Sequence, residues 1–353
     1  MHSVSILIPC FQENNFIRAC LDSVRGFDLP PDVEIEIFVL DGGSSDGTRE
    51  IVADIEKADS RIKLIDNPGR TQSAAMNLGI TVARGDFVMR LDAHSVYPRD
   101  YLRLTFDSAI RTGADNAGGV VSTMRRGEGY QSALVQALTT HKFGVGDSGF
   151  RTDAAEGEAD TVPYGFFRRE VFDRIGFFDE RLVRAQDYEM NRRIIASGGK
   201  IWMNPAIRVT YYQQPDLSSF IRKQITREAP YNAYLWYLAP YAFTPRHAVT
   251  GVFAAGVIGG LLLSGFSPIR WILFIVMGLY FSLAIVSAVQ QSVRYREPRH
   301  LIFLPISFFL YHFLHGVGVL IGLARLATRT APVQKLSEPW PGAGRFRAWP
   351  ASA

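Results

Sequence analysis

The stretch Arg84-Gly85-Asp86-Phe87-Val88-Met89-Arg90-Leu91-Asp92-Ala93-His94 runs from a polar turn through a mostly apolar segment into an aspartate, a small residue and a histidine. Residues 87–91 have the composition of a strand, and in extended backbone positions two apart face the same side. Asp92 and His94 are therefore expected to project together beyond the carboxyl end of a strand, on the rim where open α/β sheets bind ligands. An oxygen ligand beside an imidazole suits Mn2+ or Mg2+, with a diphosphate completing the shell. The same residues also read as a strand-end turn with a capping aspartate and an exposed histidine.

Outward from this stretch, strand and helix signals alternate, which argues for a parallel or mostly parallel sheet. Upstream, strands are expected over 4–8, 35–40 and 62–65, with helices over 15–24, 49–57 and 73–83. Downstream, Pro98 suits the start of a helix over 100–111, followed by a strand over 118–123 and a helix over 130–141. Residues 144–160 are rich in Gly, Asp and Glu and lack periodicity, so they read as a loop, either a linker or a lid. The sheet resumes over 162–167, helices follow over 171–175 and 188–196, and 200–204 is extended. Residues 217–228 form an amphipathic pattern, and the aromatic, nearly uncharged run 231–243 suits a segment lying in a bilayer interface.

The chain has 353 residues and a net charge of +4, and no nucleic-acid partner is expected. Apolar content is uneven: 248–266, 271–289 and 301–323 contain no Lys, Arg, Asp or Glu. Each is long enough for a helix to cross a bilayer core of about 30 Å. The start of the chain has no basic region ahead of its short apolar run and reads as a first strand rather than a signal peptide, which places the polar part in the cytoplasm. Cys10 and Cys20 offer no disulfide framework and read as small buried hydrophobes. Basic residues flank the spans at Arg246, Arg294, Arg296 and Arg299. Positive residues favour the cytoplasmic side. Three crossings would place Arg325, Arg329, Lys335, Arg345 and Arg347 outside, so either the topology is mixed or one span is re-entrant or interfacial, the third being singled out by Pro305, His312 and His315.

Two further acidic groupings accompany Asp92 and His94. In Leu40-Asp41-Gly42-Gly43 an aspartate ends a strand, and glycines let a ligand approach the backbone; Asp41 suits a hydrogen bond from a base or ribose, or a cap on the next helix. In Arg184-Ala185-Gln186-Asp187-Tyr188-Glu189 the Asp187 carboxylate opens a helix, as a cap or as a general base. Neither G-x-G-x-x-G nor G-x-x-x-x-G-K-[ST] is present, which argues against a dinucleotide fold and an NTPase.

In order, Ile8-Pro9-Cys10-Phe11-Gln12-Glu13-Asn14, Asp41-Gly42-Gly43-Ser44-Ser45-Asp46-Gly47-Thr48, Ala74-Ala75-Met76-Asn77-Leu78-Gly79, Leu91-Asp92-Ala93-His94, Gly176-Phe177-Phe178-Asp179-Glu180 and Gln186-Asp187-Tyr188-Glu189 resemble the signature of family 2 glycosyltransferases with the GT-A fold. The resemblance covers about residues 3–228. It implies a nucleotide-sugar pocket lined by Pro9, Glu13, Asp41, Asn77 and Asp92, with Asp41 near a uracil. It also implies a metal site at Asp92 and His94 and a catalytic base at Asp187. His94 stands in place of the family's second aspartate, and Gln186 in place of its glutamate. Arg193, Gln224 and Arg227 are candidates for a donor or acceptor diphosphate, since guanidinium matches phosphate geometry. The run Gln224-Ile225-Thr226-Arg227-Glu228 departs from the processive-synthase motif Q-x-x-R-W at Glu228, which favours transfer of one sugar per encounter.

The expected architecture is an α/β GT-A domain, Rossmann-like with a mostly parallel sheet, over 1–229. An interfacial aromatic segment over 230–246, about three hydrophobic helices over 247–325 and a tail over 326–353 follow. The Asp-Ala-His variant with C-terminal spans resembles bacterial exopolysaccharide glucosyltransferases of the succinoglycan type. That resemblance implies inverting, Mn2+- or Mg2+-dependent transfer of glucose from UDP-glucose to a polyprenyl-diphosphate-linked saccharide. The enzyme would be a multi-pass protein of the bacterial inner membrane with its catalytic domain in the cytoplasm. The alternatives are a polyprenyl-monophosphate glycosyltransferase of the dolichyl-phosphate-mannose-synthase kind and a non-catalytic nucleotide-sugar-binding scaffold.

Overall fold

The computed structural model describes residues 1–146, 149–151 and 155–334. It divides into two compact units. The first takes its described residues from 1–122 and 155–210 with Gln334; the second takes them from 123–151 and 211–333. This departs from the linear partition at 229, because a helix early in the chain belongs with the late apolar ones.

The first unit is built on continuous apolar strands. β1 (His2–Cys10) and β2 (Val33–Asp41) bury Val4, Ile6, Leu7 and Ile8 and Ile37, Phe38, Val39 and Leu40. Strands apolar on both faces are what a parallel sheet covered by helices requires. Between them lies α1 (Ile17–Arg25), burying Ile17, Cys20, Leu21 and Val24, and after β2 come α2 (Thr48–Ala58), β3 (Ile62–Asp66) and α3 (Gln72–Val82). Both cysteines are buried and free. In α3, a Cβ at Gly79 would lie 2.7 Å from Leu7 Cδ1, so the helix lies directly on the sheet. β4 (Phe87–Arg90), α4 (Tyr101–Thr112) and β5 (Asn116–Met124) continue the alternation.

The second unit opens with α5 (Tyr130–Thr139) and α6 (Lys142–Val145), followed by a 3-10 turn at Gly149–Arg151. The chain then returns to the first unit with β6 (Gly157–Glu158), β7 (Phe166–Arg168), α7 (Glu170–Ile175), α8 (Gln186–Ala196) and β8 (Ile201–Tyr212). The loop expected over 144–160 thus contains short elements, and its residues 147–148 and 152–154 lie outside the described residues.

Sheet order is β3-β2-β1-β4-β7-β5-β8-β6. β1 pairs in parallel with β2 and β4, and β2 with β3; β7 runs antiparallel to β4 and β5, and β6 to β8. The sheet is therefore mixed around a parallel core. The strand expected over 162–167 begins only at Phe166, because Pro163 has no N–H to give a ladder and Tyr164 stands at φ +53°. The parallel register, Cys10 against Asp41 and Leu7 against Arg90, brings the carboxyl ends of β1, β2 and β4 to one rim.

The remaining helices of the second unit are α9 (Leu217–Lys223), α10 (Ala229–Leu238), α11 (Pro245–Leu262), α12 (Ser267–Tyr295) and α13 (His300–Ala327). Leu134, Leu138, Phe220, Ala288, Leu304 and Phe308 share one core. Gln291 of α12 donates to the Ala137 carbonyl at 2.5 Å, and the Thr140 and Tyr295 hydroxyls meet at 2.8 Å. Among the described residues two helices, α12 and α13, are long and apolar enough to cross a membrane. The first expected span, 248–266, is helical only to Leu262 within the 18-residue α11, about 27 Å at 1.5 Å per residue. The expected helix over 217–228 changes at Gln224 into a π turn, Gln224–Glu228, in which Ala229 N–H reaches back to Gln224 O. Pro230, without an N–H, stands next to that turn. Lys335, Arg345, Arg347 and most of the tail lie outside the described residues.

Candidate active site

The rim of the parallel sheet is built from the loops that follow β1, β2 and β4. The first two are laced together: Gln12 N donates to Ser44 Oγ at 2.8 Å, Glu13 N to Thr48 Oγ1 at 2.9 Å and Asn14 N to Asp46 Oδ2 at 3.1 Å. Gln12 takes φ +59° to make this crossing, and Gly43, at φ +87°, turns the second loop back. Pro9 ends the apolar part of β1 beside them.

Asp41 is the anchor of the second loop. Its carboxylate accepts from Gly43 N and Ser44 N at 3.0 Å each, from Ser44 Oγ at 2.5 Å and from Arg49 Nη1 at 2.7 Å. Arg49 also reaches Asp66, at 2.7 Å. Burial pushes the Asp41 carboxyl upward, but the bonds from Ser44 and Arg49 outweigh it and hold the group below the usual aspartate value. With its side chain wholly covered, Asp41 shapes the loop; the base contact expected of it would have to displace one of these donors. The accessible groups here are ones the motifs did not single out. A Cβ at Gly42 would lie 3.4 Å from Phe11 Cδ2 and 3.6 Å from Arg70 Cα, and Phe11 is 53 % exposed.

β4 ends at Arg90, and the next residues turn rather than extend: Ser95 N donates to Asp92 O at 3.2 Å. The expectation that Asp92 and His94 project as alternate strand residues therefore gives way to the strand-end turn. Tyr97 Oη accepts from Asp92 N at 2.7 Å and closes the turn from below. His94 remains half-exposed, with Nδ1 3.9 Å from Glu13 Oε1, so the turn and the loop after β1 face each other.

Asp187 joins this turn through Arg90. Ala185, at φ +63°, swings the chain into α8 so that Gln186 and Asp187 open the helix. Arg90, its side chain 7 % exposed, donates through Nη1 to Asp187 and through Nη2 to Asp92 Oδ1 at 2.6 Å. The Gln72 carboxamide oxygen faces Arg90 Nε at 3.0 Å, with its nitrogen turned toward the Gln186 amide. Burial raises the Asp187 carboxyl above the usual aspartate value; Arg90 opposes this and Asp92 adds to it.

Other candidates stand elsewhere. Asn77 is buried, donating to Phe178 O at 2.9 Å and Glu180 Oε1 at 2.8 Å and accepting from Phe178 N at 2.8 Å, so it clamps α3 to the segment before α8. Arg193 is fully buried, paired with Glu189 and donating to the carbonyls of Ile175 and Phe177 at 2.9 and 2.7 Å. Gln224 and Arg227 lie in the π turn of the second unit.

Among the described residues no three His, Cys, Asp or Glu side chains gather as a metal cage. The rim supplies the Asp92 carboxylate, whose Oδ1 is held by Arg90, and the half-exposed His94 imidazole with Glu13 beside it. That donor set fits Mn2+ or Mg2+, which keep water and phosphate oxygens in their shell.

Residues 5–176 match the model of glycosyl transferase family 2. The succinoglycan biosynthesis protein ExoA of Rhizobium meliloti (strain 1021) is 34 % identical over 214 residues, 60 % of this chain, and the match spans 64 % of that protein's length. A dolichyl N-acetyl-α-D-glucosaminyl phosphate 3-β-D-2,3-diacetamido-2,3-dideoxy-β-D-glucuronosyltransferase of Methanococcus voltae is 27 % identical over 92 % of this chain and 98 % of its own. Mannosyltransferase PcManGT from Pyrobaculum calidifontis, solved with GDP-Man and Mn2+, superposes with a TM-score of 0.54 at 18 % identity, over 90 % of this chain and 86 % of that one, which shows a shared fold. Every rim residue before α8 lies within the stretch, residues 5–176, that is similar to glycosyl transferase family 2.

Proposed function

We propose that this chain is a membrane-associated, inverting glycosyltransferase that moves one sugar from a nucleoside-diphosphate donor, UDP-glucose first among candidates, to a polyprenyl-linked saccharide. The observation that carries this is the convergence of Asp92, His94, Glu13 and Asp187 on one rim, with Arg90 between the two aspartates. Asp187 is the general base: it takes the proton of the acceptor hydroxyl as that oxygen attacks the anomeric carbon. The bond to the diphosphate breaks on the opposite face. Asp92 and His94 would hold Mn2+ or Mg2+, which supplies charge neutralisation at the diphosphate. Phe11 and Arg70, which close on Gly42, would frame the nucleoside together with Pro9 at the end of β1.

The polyprenyl-linked acceptor draws support from the relatives' names, one a succinoglycan biosynthesis protein and one a transferase named for a dolichyl-phosphate-linked sugar. α12 and α13 support a multi-pass placement in the cytoplasmic membrane with the first unit facing the cytoplasm, since a lipid-linked acceptor stays in the bilayer. A thermal-shift screen of UDP-, GDP- and dTDP-sugars with and without Mn2+ identifies the donor. Asp187→Asn is then expected to bind that donor and to lose about 10²- to 10⁴-fold in transfer, the usual contribution of a general base; near-normal transfer by the purified variant overturns the base assignment.

A further inference from the structure

Arg90 has surroundings that its place in a strand does not explain. It lies in β4, where its backbone N donates to Gly165 O at 3.0 Å. Its guanidinium is nearly sealed from solvent and meets two carboxylates that come from different parts of the chain, Asp92 from the turn after β4 and Asp187 from the start of α8. Nε faces the Gln72 carboxamide, and the Tyr164 ring lies 5.9 Å from the guanidinium carbon. Tyr164 is buried and held at φ +53°, a costly conformation for a non-glycine residue. Withdrawing a guanidinium from water is unfavourable unless its donors are met; here the partners are two groups of the rim.

We propose that Arg90 is a positioning residue that ties the Asp187 carboxylate to the Asp92 turn, so that the base and the turn facing the donor diphosphate keep one fixed separation. This rests on the assignment of Asp187 as base. Two carboxylates sharing a site repel and turn apart unless a cation lies between them. A planar fork offers two nitrogens at set spacing, one for each carboxylate, where an ammonium is a single point charge. Arg90 thus acts on transfer through Asp187.

The test uses Arg90→Lys and Arg90→Gln in the full-length, detergent-solubilised protein, reading kcat and KM for the donor chosen by the screen, affinity for UDP with Mn2+ by calorimetry, and the unfolding midpoint. Arg90→Lys is expected to fold, to bind UDP within about threefold of the wild type and to lose about 10- to 100-fold in kcat, the scale of a misplaced reacting group. Arg90→Gln is expected to lose more; if it does not fold, Arg90→Lys carries the test. Adding Arg90→Lys to Asp187→Asn is expected to cost nothing further in residual turnover, because both act through one carboxylate. A folded Arg90→Lys with wild-type kcat, a loss confined to KM, or losses that multiply in the double variant each overturn the proposal. Failure of the base assignment is seen separately, as near-normal transfer by Asp187→Asn alone.

Discussion

Arg193 and Glu189, one turn apart on α8, form an ion pair from which solvent is wholly excluded. The remaining guanidinium donors bond the carbonyls of Ile175 and Phe177, so the pair fastens α8 to the end of α7 and the segment after it. Removing one partner of such a pair leaves a buried charge unmatched, at a cost of roughly 3–5 kcal/mol. Arg193→Met should therefore lower the unfolding midpoint sharply while leaving KM for the donor unchanged in whatever protein stays folded. A rise in KM at unchanged stability would return Arg193 to the diphosphate.

The raised carboxyl of Asp187 has a consequence for pH. On the proposed assignment of Asp187 as general base, the carboxyl must be ionised, so transfer is expected to be lost as pH falls through its pKa. Since burial lifts that value, the acid limb of kcat/KM is expected above the ordinary aspartate value of about 3.9. The same shift makes the protonated form favour the folded state, so this group contributes stability at low pH and loses it as pH rises through the raised pKa. Asp41 has the opposite sign: held low, it stabilises the fold above the ordinary aspartate value and loses that contribution as pH falls through its depressed pKa. Removing the opposing cation in Arg90→Gln moves the Asp187 limb further up. A pH–rate profile flat down to pH values near 4 would rule this out.

The proposed site predicts a metal dependence. With Asp92 and His94 as its two protein ligands, binding is expected to be weak without nucleotide and tightened by it, and chelation to abolish transfer reversibly. His94→Ala is expected to raise the Mn2+ concentration for half-activity by about 10-fold or more, the scale on which altering a metal site's shell acts. Calorimetric titration of Mn2+ into protein saturated with UDP checks this without turnover, and an unchanged affinity in His94→Ala removes His94 from the site.

How far the fold is legible depends on whether its determinants are local. β1, β2 and β4 announce themselves as mostly apolar runs; Asp41 ends one of them, Asp92 lies just past the end of another, and Asp187 opens a helix. Arg90 does not, since a lone arginine in a strand reads as an exposed face; its partner Asp187 lies 97 residues on. Arg193, expected at a diphosphate, is instead buried against Glu189; the spacing Glu189-x-x-x-Arg193 suits an i,i+4 pair, a signal that reading for phosphate contacts does not use. The grouping of α5 with α12 and α13 is non-local, resting on Leu134, Ala288 and Phe308 meeting across the chain. The turn at Asp92 depends on Tyr97 and Ser95, which strand periodicity does not consult.

Helix α13 carries the last prediction, because it packs through bare backbone. A Cβ at Gly316 would fall 2.0 Å from the Thr250 carbonyl oxygen and 2.7 Å from the Ala254 Cβ, both on α11. Neither neighbour is the far end of a flexible side chain, so the two helices must separate to admit even a methyl group. Close approach at small residues is how apolar helices associate in a bilayer, where lipid competes equally for their side chains. Gly316→Ala is therefore expected to destabilise the second unit by about 1–3 kcal/mol, the usual range for overpacking. By contrast, Gly278→Ala on α12, where an added Cβ meets nothing within 4 Å, should be neutral or slightly stabilising, since alanine is the better helix former. Thermal unfolding of both variants in the same detergent checks the contrast; equal midpoints for the two would show that α11 and α13 do not pack through Gly316.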